Sequence, residues 1–300
     1  MTRGASKGPP PCPCGEYPSA RMVVWKGKTV MRCGRCALLA REPMPEAVPL
    51  LTWYRHEYWK QYAGEQEGSA RDNLYRHVLE CLCRRRPERG TLVDVGCGMG
   101  ALLTQARHMG WHGIGFDPSP SAVARARAQG LEAYELAWPP CDLPNESVNA
   151  VVFLNVLDHL LRPFAALEEA RRVLRPDGWV YIRVPNVPLH VAWSRVLSMM
   201  GVEDVTIMHL YGFGRRALLH HLTRLGFENV TIRTAPPSQH DAYRRARSAP
   251  WRFRSSLRYL DQAAYRTSTV IGLDRRAWGP SIEAMASKGS GRSQGAADLI

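Results

Sequence analysis

Apolar residues recur along the chain in short runs that alternate with helical stripes, starting near residue 90. The run TLVDV at 91–95 has the pattern of a buried strand, and Leu102, Leu103, Ala106 and Met109 mark the inner face of a following helix. The runs HGIGFD, LEAYEL, SVNAVVFL and WVYIRV predict four further strands. Repeated βα units of this kind call for a parallel sheet with helices on both faces.

The helices in this pattern carry recognisable start and stop signals. One helix is expected to begin at the capping residue Ser119 and to end at Gly130. A second stripe runs from Phe164 to Leu174, and a third helix is closed by Gly226. The runs FENVTIRT and SIEAMAS add two last strands. The pattern therefore predicts an α/β fold with a seven-stranded, mostly parallel sheet.

Composition divides the chain into unequal parts. The first 45 residues are rich in Pro, Gly and Cys and cannot build an apolar core of their own, whereas the following stretch LTWYRHEYWKQY is densely aromatic. The predicted organisation is a cysteine-bearing module at 1–45, an aromatic and helical lid and linker at 46–90, an α/β domain at 91–288 with a basic insert at 237–276, and a flexible tail at 289–300.

Hydrophobic content of 45% and charged content of 22% are ordinary for a soluble globular protein. No apolar run approaches the ~20 residues of a membrane helix, and the N-terminus lacks the apolar core of a signal peptide. We therefore expect a cytoplasmic location and reduced cysteines. The net charge of +13 suits an anionic partner, whether a nucleotide-linked substrate, a nucleic acid or a membrane surface, and does not choose among them.

The stretch LVDVGCGMG at 92–100 is the most informative local motif. Gly96, Gly98 and Gly100 follow a buried strand and would let the backbone turn sharply and approach a ligand. Their spacing also fits a loose dinucleotide fingerprint, because Ala101 can replace the third glycine of that motif. Asp117, at the end of the second strand, could hold ribose hydroxyls in either case. The loop alone leaves both cofactor classes open.

The order of the downstream motifs separates the two classes. VDVGCGMG, GFDPS, VVFLNVLDHL and EEARRVLRPDGWVYIRVPN follow one another with the spacing of the class I S-adenosylmethionine-dependent methyltransferases. The chain resembles, in particular, the bacterial small-molecule branch that includes the ubiquinone-pathway O-methyltransferases. The later segment HLYGFGRRALLHHLTRLGFENV resembles one seen in that branch. The resemblance covers roughly residues 70–290 and implies a Rossmann-like sheet.

The resemblance also implies which residues bind the cofactor, S-adenosylmethionine. Asp94 would lie near the methionine amino group and Asp117 would hold the ribose. The complete set is Asp94, Gly96, Cys97, Gly98 and Gly100 around the methionine part, Asp117 and Pro118 at the ribose and adenine, Glu135 and Leu136 at the adenine edge, and Asn155 near the sulfonium. Where the family usually has Asp, Gly and Glu, this chain has Asn149, Asp177 and Asp158.

A hydroxyl acceptor benefits from a general base, and histidine is the usual choice near neutral pH. His159 follows the fourth strand at the rim where acceptor and cofactor would meet, and His209 lies in the segment MHLYGF, which often approaches the site in the resembling family. His159 and His209 are therefore the candidate catalytic residues. The alternative for each is a histidine that has a structural role and takes no part in catalysis.

Two cysteine pairs near the N-terminus indicate a metal. Cys12 and Cys14 precede Cys33 and Cys36 by a gap that suits a tetrahedral zinc ion held by four thiolates. Members of the resembling branch carry a similar N-terminal module with a wider first pair. We therefore expect a structural Zn²⁺ in a zinc-ribbon-like module, with a metal-free segment as the alternative. Cys81, Cys83 and Cys141 have no matching partners in the sequence and are expected to be incidental.

The function predicted from these motifs is methyl transfer, most simply O-methylation, to a small-molecule or sugar-linked acceptor. The basic insert carries nine arginines against three aspartates and could cover an anionic acceptor, with Arg252, Arg254 and Arg258 as its contacts. The alternatives are an RNA methyltransferase, an NAD(P)-dependent oxidoreductase and a binding protein that has lost activity. Nucleic acid is thus the second candidate partner, and no membrane span is expected.

Overall fold

From about residue 90, the strands and helices follow the predicted order, apart from a short strand at Tyr211–Gly212 that was not predicted. The computed structural model describes residues 12–14, 23–25, 28–58, 71–192, 210–237, 265–267, 269–270 and 272–289. The strands are β1 (Val23–Trp25), β2 (Lys28–Arg32), β3 (Leu39–Glu42), β4 (Gly90–Val95), β5 (Trp111–Asp117), β6 (Glu132–Glu135), β7 (Val148–Leu154), β8 (Leu174–Pro185), β9 (Tyr211–Gly212), β10 (Phe227–Thr234) and β11 (Ser281–Lys288). The helices are α1 (Ala47–Trp53), which continues as a π-helical turn (Tyr54–Tyr58), α2 (Asp72–Arg85), α3 (Ala101–His108), α4 (Pro120–Ala128), α5 (Pro163–Val173) and α6 (Arg215–Arg224), with 3₁₀ turns at Leu157–His159 and Leu273–Arg276.

The central sheet has seven strands in the spatial order β10–β11–β8–β7–β4–β5–β6. The five strands from β8 to β6 are parallel, whereas β11 is antiparallel to both of its neighbours. The mostly parallel seven-stranded sheet predicted from the sequence is therefore confirmed. The strand order reverses between β4 and β7, and ligands of such sheets bind beyond the carboxyl ends of the strands at that reversal.

Both faces of the sheet are covered, which explains why its strands read as nearly continuous apolar runs. On β8, Val180 and Ile182 pack in the core cluster that includes α5 and α6. Trp179 and Tyr181 alternate with them and pack in the cluster formed with α2 and α3. Burying large apolar side chains in two separate layers is the main source of stability for this architecture.

Local signals mark the helix boundaries well, with one correction. Ser119 accepts a hydrogen bond from the Ala122 N–H and so caps α4 as predicted. Leu174, which the stripe assigns to a helix, is instead the first residue of β8, because α5 ends at Val173.

Asn149 has a structural role, since its Oδ1 accepts the Thr91 N–H at 2.9 Å and joins β7 to the start of β4.

A small antiparallel sheet carries the cysteine module. Its order is β1–β2–β3–β9, so strand β9, which lies far along the chain, completes a sheet made by N-terminal residues. Leu39 and Ala40 of β3 pair with Gly212 and Tyr211 of β9. The module is therefore attached to the α/β domain by backbone hydrogen bonds, and the proposed boundary at residue 45 stays a prediction.

Two further predictions concern the chain as a whole. Among the described residues, no helix is long and apolar enough to cross a membrane. Most of the basic insert, including Arg252, Arg254 and Arg258, lies outside the described residues. The predicted cover over an anionic acceptor therefore stays a prediction.

Candidate functional site

The glycine-rich turn lies at the carboxyl end of β4, where the strand order reverses. Gly96, Gly98 and Gly100 have φ angles of 75°, 54° and 81°, in the left-handed region that favours glycine. A Cβ on Gly96 would lie only 2.4 Å from a methyl carbon of Val156. Glycine is therefore required at Gly96 by conformation and by space, and the positive φ angles favour glycine at all three positions before α3 begins.

Asp117 ends β5 and joins the two neighbouring loops. Its Oδ2 accepts the Gly98 N–H at 3.0 Å, and its Oδ1 accepts the Ser119 N–H at 2.9 Å. Burial raises the pKa of Asp117, while these two donors lower it. Each carboxylate oxygen has a second lone pair, so Asp117 can also accept hydrogen bonds from the hydroxyls of a ligand.

Asp94 is a buried carboxylate beside the same loop. It is 3% exposed, and within the described part of the chain we find no hydrogen-bond donor to its carboxylate. Burial, together with the charge of Asp117, raises the pKa of Asp94 to about 7. An unpaired buried carboxylate is costly, so this position fits a ligand that brings a cationic group such as an ammonium.

Cys97, between the glycines, fills space. A Cβ on Gly115 would lie 2.6 Å from the Cys97 Sγ, so the thiol occupies room left by a strand glycine. Burial, and then the charges of Asp94 and Asp117, raise the pKa of the Cys97 thiol well above its usual value. A thiol that stays protonated is a poor nucleophile, so the side chain contributes volume and not reactivity.

The ends of β5 and β6 lie side by side at this edge. Asp117 and Glu135 are partners in the parallel ladder, and the Leu136 N–H donates to the Asp117 carbonyl at 3.1 Å. Pro118 lies between Asp117 and the cap of α4. The Glu135 carboxylate forms an ion pair with Arg55 of the π-helical turn. The adenine-edge residues predicted from the sequence therefore occupy one continuous rim.

Asn155, just beyond β7, is held by a buried arginine that sequence reasoning missed. Its backbone has a φ of 57°, and its Oδ1 accepts Arg183 Nη1 at 2.6 Å. Arg183 is 1% exposed and also donates from Nη2 to the Pro236 carbonyl at 3.2 Å. An arginine inside the apolar run WVYIRV was the one available signal for this contact.

His159 ends the 3₁₀ turn after β7 and lies in an aromatic pocket. Its Nδ1 shares a hydrogen bond of 2.6 Å with the Tyr54 hydroxyl, and the rings of Tyr54 and Tyr58 lie edge-on to the imidazole. The Asp158 carboxylate lies 3.9 Å from Nε2. Asp158 is 1% exposed, and burial raises its pKa to about 7. The imidazole thus has a hydroxyl on one nitrogen and a carboxylate near the other.

The π-helical turn (Tyr54–Tyr58) extends across the opening of this edge. Tyr54 contacts His159 beyond β7, while Arg55 contacts Glu135 at the end of β6. The carboxyl ends of four strands therefore lie under one aromatic segment. His209, the second candidate base, lies outside the described residues, although the next residue, Leu210, donates its N–H to the Asp158 carbonyl at 3.0 Å.

The four N-terminal cysteines converge in one buried cluster. Cys12 and Cys36 have their Sγ atoms 3.6 Å apart, Cys14 and Cys33 have theirs 3.4 Å apart, and all four Sγ atoms lie within 4.8 Å of one another. Zinc–sulfur bonds of about 2.3 Å at tetrahedral angles give sulfur separations of about 3.8 Å. The donor set and its spacing therefore fit a structural zinc ion.

The cysteine cluster is supported by α6. The hydrogen bond with Cys12 lowers the pKa of Cys36, and His221 lowers it further. His221 is buried and stacks on Phe164 of α5, with 3.8 Å between the ring centroids. Arg224 donates to the Cys14 carbonyl at 2.5 Å. A thiolate is the form that binds metal, so α6 favours the state that the cluster needs.

A doubly wound sheet with a glycine loop at its reversal point and two carboxylates beside that loop fits a class I S-adenosylmethionine-dependent methyltransferase. A family model described as a methyltransferase domain matches residues 66–232, more than half of the 300 residues. The chain belongs to this methyltransferase-domain family. The match favours the methyltransferase over the nicotinamide-dependent oxidoreductase that the glycine spacing left open.

Curated relatives agree with this assignment. The chain is 30% identical over 125 residues to the ubiquinone biosynthesis O-methyltransferase of Paraburkholderia xenovorans (strain LB400), which covers 39% of this chain and 53% of that protein. It is 27% identical over 168 residues to the enzyme of the same name from Methylobacterium nodulans (strain LMG 21967 / CNCM I-2342 / ORS 2060), covering 49% of this chain and 65% of that protein. The chain thus spans about half the length of the curated relatives it matches.

Solved structures share the fold at low sequence identity. One chain of the complex between the Haloferax volcanii Trm112 methyltransferase activator and a methyltransferase has a TM-score of 0.53 at 18% identity, covering 79% of this chain and 97% of that one. Haemonchus contortus phosphoethanolamine N-methyltransferase 2, solved with S-adenosyl-L-methionine, also has a TM-score of 0.53, at 14% identity, covering 84% and 63%. These likenesses concern the fold.

Proposed function

We propose that this protein transfers the methyl group of S-adenosylmethionine to a hydroxyl group of a small-molecule acceptor. The observation that carries the proposal is the hydrogen bond of 2.6 Å between the Tyr54 hydroxyl and His159 Nδ1. A phenolic hydroxyl thus already lies on an imidazole nitrogen at the edge of the cofactor loop. The relatives from Paraburkholderia and Methylobacterium, which are named O-methyltransferases, support the same choice of acceptor atom.

The cofactor would be held by the residues that form the rim. Asp94 would pair with the ammonium group of the methionine part, which would satisfy a carboxylate that burial leaves costly. Asp117 would accept the ribose hydroxyls on lone pairs that its two backbone donors do not use. The remaining contacts would come from the backbone of Gly96, Cys97, Gly98 and Gly100, from Pro118, Glu135 and Leu136 around the adenine, and from Asn155 near the sulfonium.

Bound S-adenosylmethionine supplies a methyl group on a sulfonium that is already activated, so the protein mainly contributes position and desolvation. Arg183 fixes Asn155 through a hydrogen bond of 2.6 Å. Tyr54 and Tyr58, whose rings lie edge-on to the imidazole, would exclude water from the space above His159. Methyl transfer then requires the acceptor oxygen to lie in line with the methyl carbon.

The proton of the acceptor hydroxyl would go to His159 Nδ1. This nitrogen faces the aromatic segment, and Nε2 faces Asp158 at 3.9 Å. A nearby carboxylate stabilises the imidazolium that forms when Nδ1 takes the proton. An acceptor that binds Nδ1 would displace the Tyr54 hydroxyl, so substrate entry would be coupled to a movement of Tyr54. His209 remains a second candidate base.

The four cysteines would hold a structural Zn²⁺. Four thiolates leave no open coordination position, so this ion would stabilise the small sheet and take no part in methyl transfer. The contacts of Arg224 and His221 with the cluster link its integrity to α6. Elemental analysis of wild type and Cys36→Ser would test this assignment, which requires less bound metal in the variant.

A methyl-transfer screen with labelled S-adenosylmethionine tests the proposed function. The acceptor classes are phenols, sugar nucleotides and tRNA, and the control is the His159→Asn variant at matched concentration. The proposal expects transfer to a hydroxyl compound, and it expects His159→Asn to lose that transfer while it still binds S-adenosylhomocysteine. Transfer to tRNA alone, or transfer that does not depend on His159, would contradict it.

An RNA methyltransferase is the second candidate, and one surface favours it. A shallow, open depression of about 630 Å³ lies on the surface between Arg35 and α6. Three arginines and a histidine line it, together with two uncharged residues: Arg35, Arg216, His220, Arg224, Leu219 and Thr223. Phosphate groups bind such arginine clusters. The double change Arg35→Gln and Arg216→Gln should weaken tRNA binding if this candidate is correct and should leave small-acceptor transfer unchanged otherwise.

A further inference from the structure

A second group of metal-ligating side chains lies on the opposite face of the sheet from the four-cysteine cluster. His77, Cys81 and Glu283 bring one imidazole nitrogen, one thiol sulfur and one carboxylate oxygen within 4.8 Å of one another. The Cys81 Sγ lies 3.6 Å from His77 Nε2, and Glu283 Oε2 lies 2.8 Å from the same nitrogen. Cys81 and Glu283 are each 8% exposed.

The fold explains how these residues meet. His77 and Cys81 are four residues apart on α2, so they share one face of the helix. That helix packs in the core layer that contains Tyr181 and Met285, on the α2 side of β8 and β11. Glu283 precedes Met285 by two positions on β11 and therefore points to the same side. A helix face and a strand 206 residues away thus form one cluster.

Two neighbours fix the ligand groups. The Tyr181 hydroxyl donates to Glu283 Oε2 at 2.7 Å, which orients the carboxylate. Arg84 Nη2 donates to the Cys81 Sγ at 3.0 Å, which orients the sulfur. Outer contacts of this kind accompany metal ligands and tune their basicity.

We propose that His77, Cys81 and Glu283 bind a divalent transition-metal ion, with Zn²⁺ as the best match, and leave its fourth position open. Zinc bonds of about 2.3 Å to sulfur and about 2.0 Å to nitrogen imply a sulfur–nitrogen separation of about 3.5 Å, close to the 3.6 Å observed here. One thiolate, one imidazole and one carboxylate suit zinc or cobalt better than magnesium or calcium. Three ligands with an open position set this site apart from the four-cysteine cluster.

A metal ion at this site would also affect the cofactor edge of the sheet. Glu283 pairs with Arg183 across β11 and β8, and Arg183 holds Asn155. A metal bound by Glu283 and by two residues of α2 would fasten that helix to the strand pair that positions Asn155. This binding would close a long loop of the chain and so stabilise the domain.

The test counts metal on the full-length chain with one matched pair of variants. Cys81→Ser removes a proposed ligand, whereas Cys83→Ser changes a cysteine of the same helix that instead accepts the Trp111 N–H. The proposal expects Cys81→Ser to bind about one metal ion per chain fewer than wild type and Cys83→Ser to match wild type. His77→Ala provides a second variant with the same expected loss, in case Cys81→Ser folds poorly.

Cobalt substitution identifies the ligands. Co²⁺ bound by Cys81 adds the sulfur-to-cobalt absorption of one thiolate to the absorption of the four-cysteine cluster. We expect this added part to be lost in Cys81→Ser and kept in Cys83→Ser, while the absorption of the four-cysteine cluster is the same in both variants. The alternative is that a proton shared by His77 and Glu283 fills the same place without metal. Equal metal content and unchanged cobalt spectra in wild type, Cys81→Ser and His77→Ala would establish that alternative and overturn the proposal.

Discussion

The two halves of the candidate active site are built in different ways. Most of the cofactor half comes from one stretch, from Asp94 to Pro118, in which the Asp117 carboxylate accepts backbone N–H groups of the loops beside it. Glu135, Leu136 and Asn155 complete it from the ends of two further strands. The acceptor half joins distant parts of the chain, because Tyr54 meets His159 across 105 residues. One half is held by its own backbone, whereas the other depends on a helical segment that lies over the sheet edge.

Because of this difference, cofactor binding should be separable from the reaction of the acceptor. A cofactor site that its own loops pre-organise needs no acceptor in order to form, so S-adenosylhomocysteine should bind to the protein alone. The aromatic segment can change its contacts without disturbing Asp94 or Asp117. The ion pair between Arg55 and Glu135 is what joins this segment to the rim of the cofactor half. Changes in the acceptor half should therefore alter turnover and leave cofactor affinity nearly constant.

The largest effect is expected from His159→Asn. General-base catalysis typically contributes about 10²–10⁴-fold to the rate, so kcat for a hydroxyl acceptor should fall by about 10²-fold or more. Affinity for S-adenosylhomocysteine, measured by calorimetry, should change by less than about twofold, because the cofactor half does not use this ring. A similar loss in both quantities would mean that the two halves are not separable.

Asp117→Ala should give the next largest effect, now on the cofactor half. Charge-assisted hydrogen bonds to two ribose hydroxyls contribute roughly 1.5–3 kcal/mol each, so affinity for S-adenosylhomocysteine should fall at least about tenfold. Part of that loss will come from the Gly98 and Ser119 N–H groups, which lose their acceptor. Circular dichroism and thermal unfolding distinguish this effect from loss of the fold. Unchanged affinity in a folded variant would remove Asp117 from the site.

Asp94 makes cofactor affinity depend on pH. Its pKa is raised to about 7 by burial and by Asp117, so the ionised form that would pair with an ammonium group accumulates as the pH rises. Affinity for S-adenosylhomocysteine should therefore increase by about threefold to tenfold between about pH 6 and about pH 8. In the unbound protein, the free energy of unfolding should fall as the pH rises from about pH 4 to about pH 7. Over this range Asp94 is protonated in the folded state and ionised in the unfolded state.

The control for this pH dependence is Asp94→Asn, which cannot titrate. The variant should bind more weakly at about pH 8 and should show a flat affinity profile over the same range. A profile that keeps its slope in Asp94→Asn would assign the titration to another group.

The smallest effect is expected from Arg55→Gln. The ion pair between Arg55 and Glu135 is largely exposed, with 45% and 36% of the two side chains accessible, and such pairs contribute little to stability. We expect a change of about twofold to fivefold in acceptor KM, because Arg55 helps to place the aromatic segment, and little change in cofactor affinity. A loss of cofactor affinity as large as that of Asp117→Ala would show that the segment belongs to the cofactor half.

The same contrast between local and distant contacts explains which features could be predicted from the sequence. The seven strands of the central sheet, the cap at Ser119 and the glycine loop depend on neighbouring residues, so their sequence patterns were sufficient to predict them. The cysteine cluster could be predicted in the same way, because Cys12 and Cys14 lie on one turn and Cys33 and Cys36 lie on another.

Contacts between distant segments had no such signal. Nothing in the sequence places Cys81 beside Glu283, or the Arg183 side chain on Asn155, because these contacts depend on how α2 and β11 pack. The addition of β9 to the small sheet is also a pairing of two short, distant segments. Leu174 was assigned to the wrong element because a buried leucine fits a helical stripe and a strand equally well.

The central claim is that the edge formed by Asp94, the glycine loop and Asp117 binds S-adenosylmethionine. Calorimetry on the purified full-length chain, with S-adenosylhomocysteine and NAD titrated in parallel, tests it most directly. The claim predicts saturable binding of S-adenosylhomocysteine at about one site per chain, weakened at least about tenfold by Asp117→Ala, and no comparable heat from NAD. Saturable binding of NAD with no response to S-adenosylhomocysteine would contradict it.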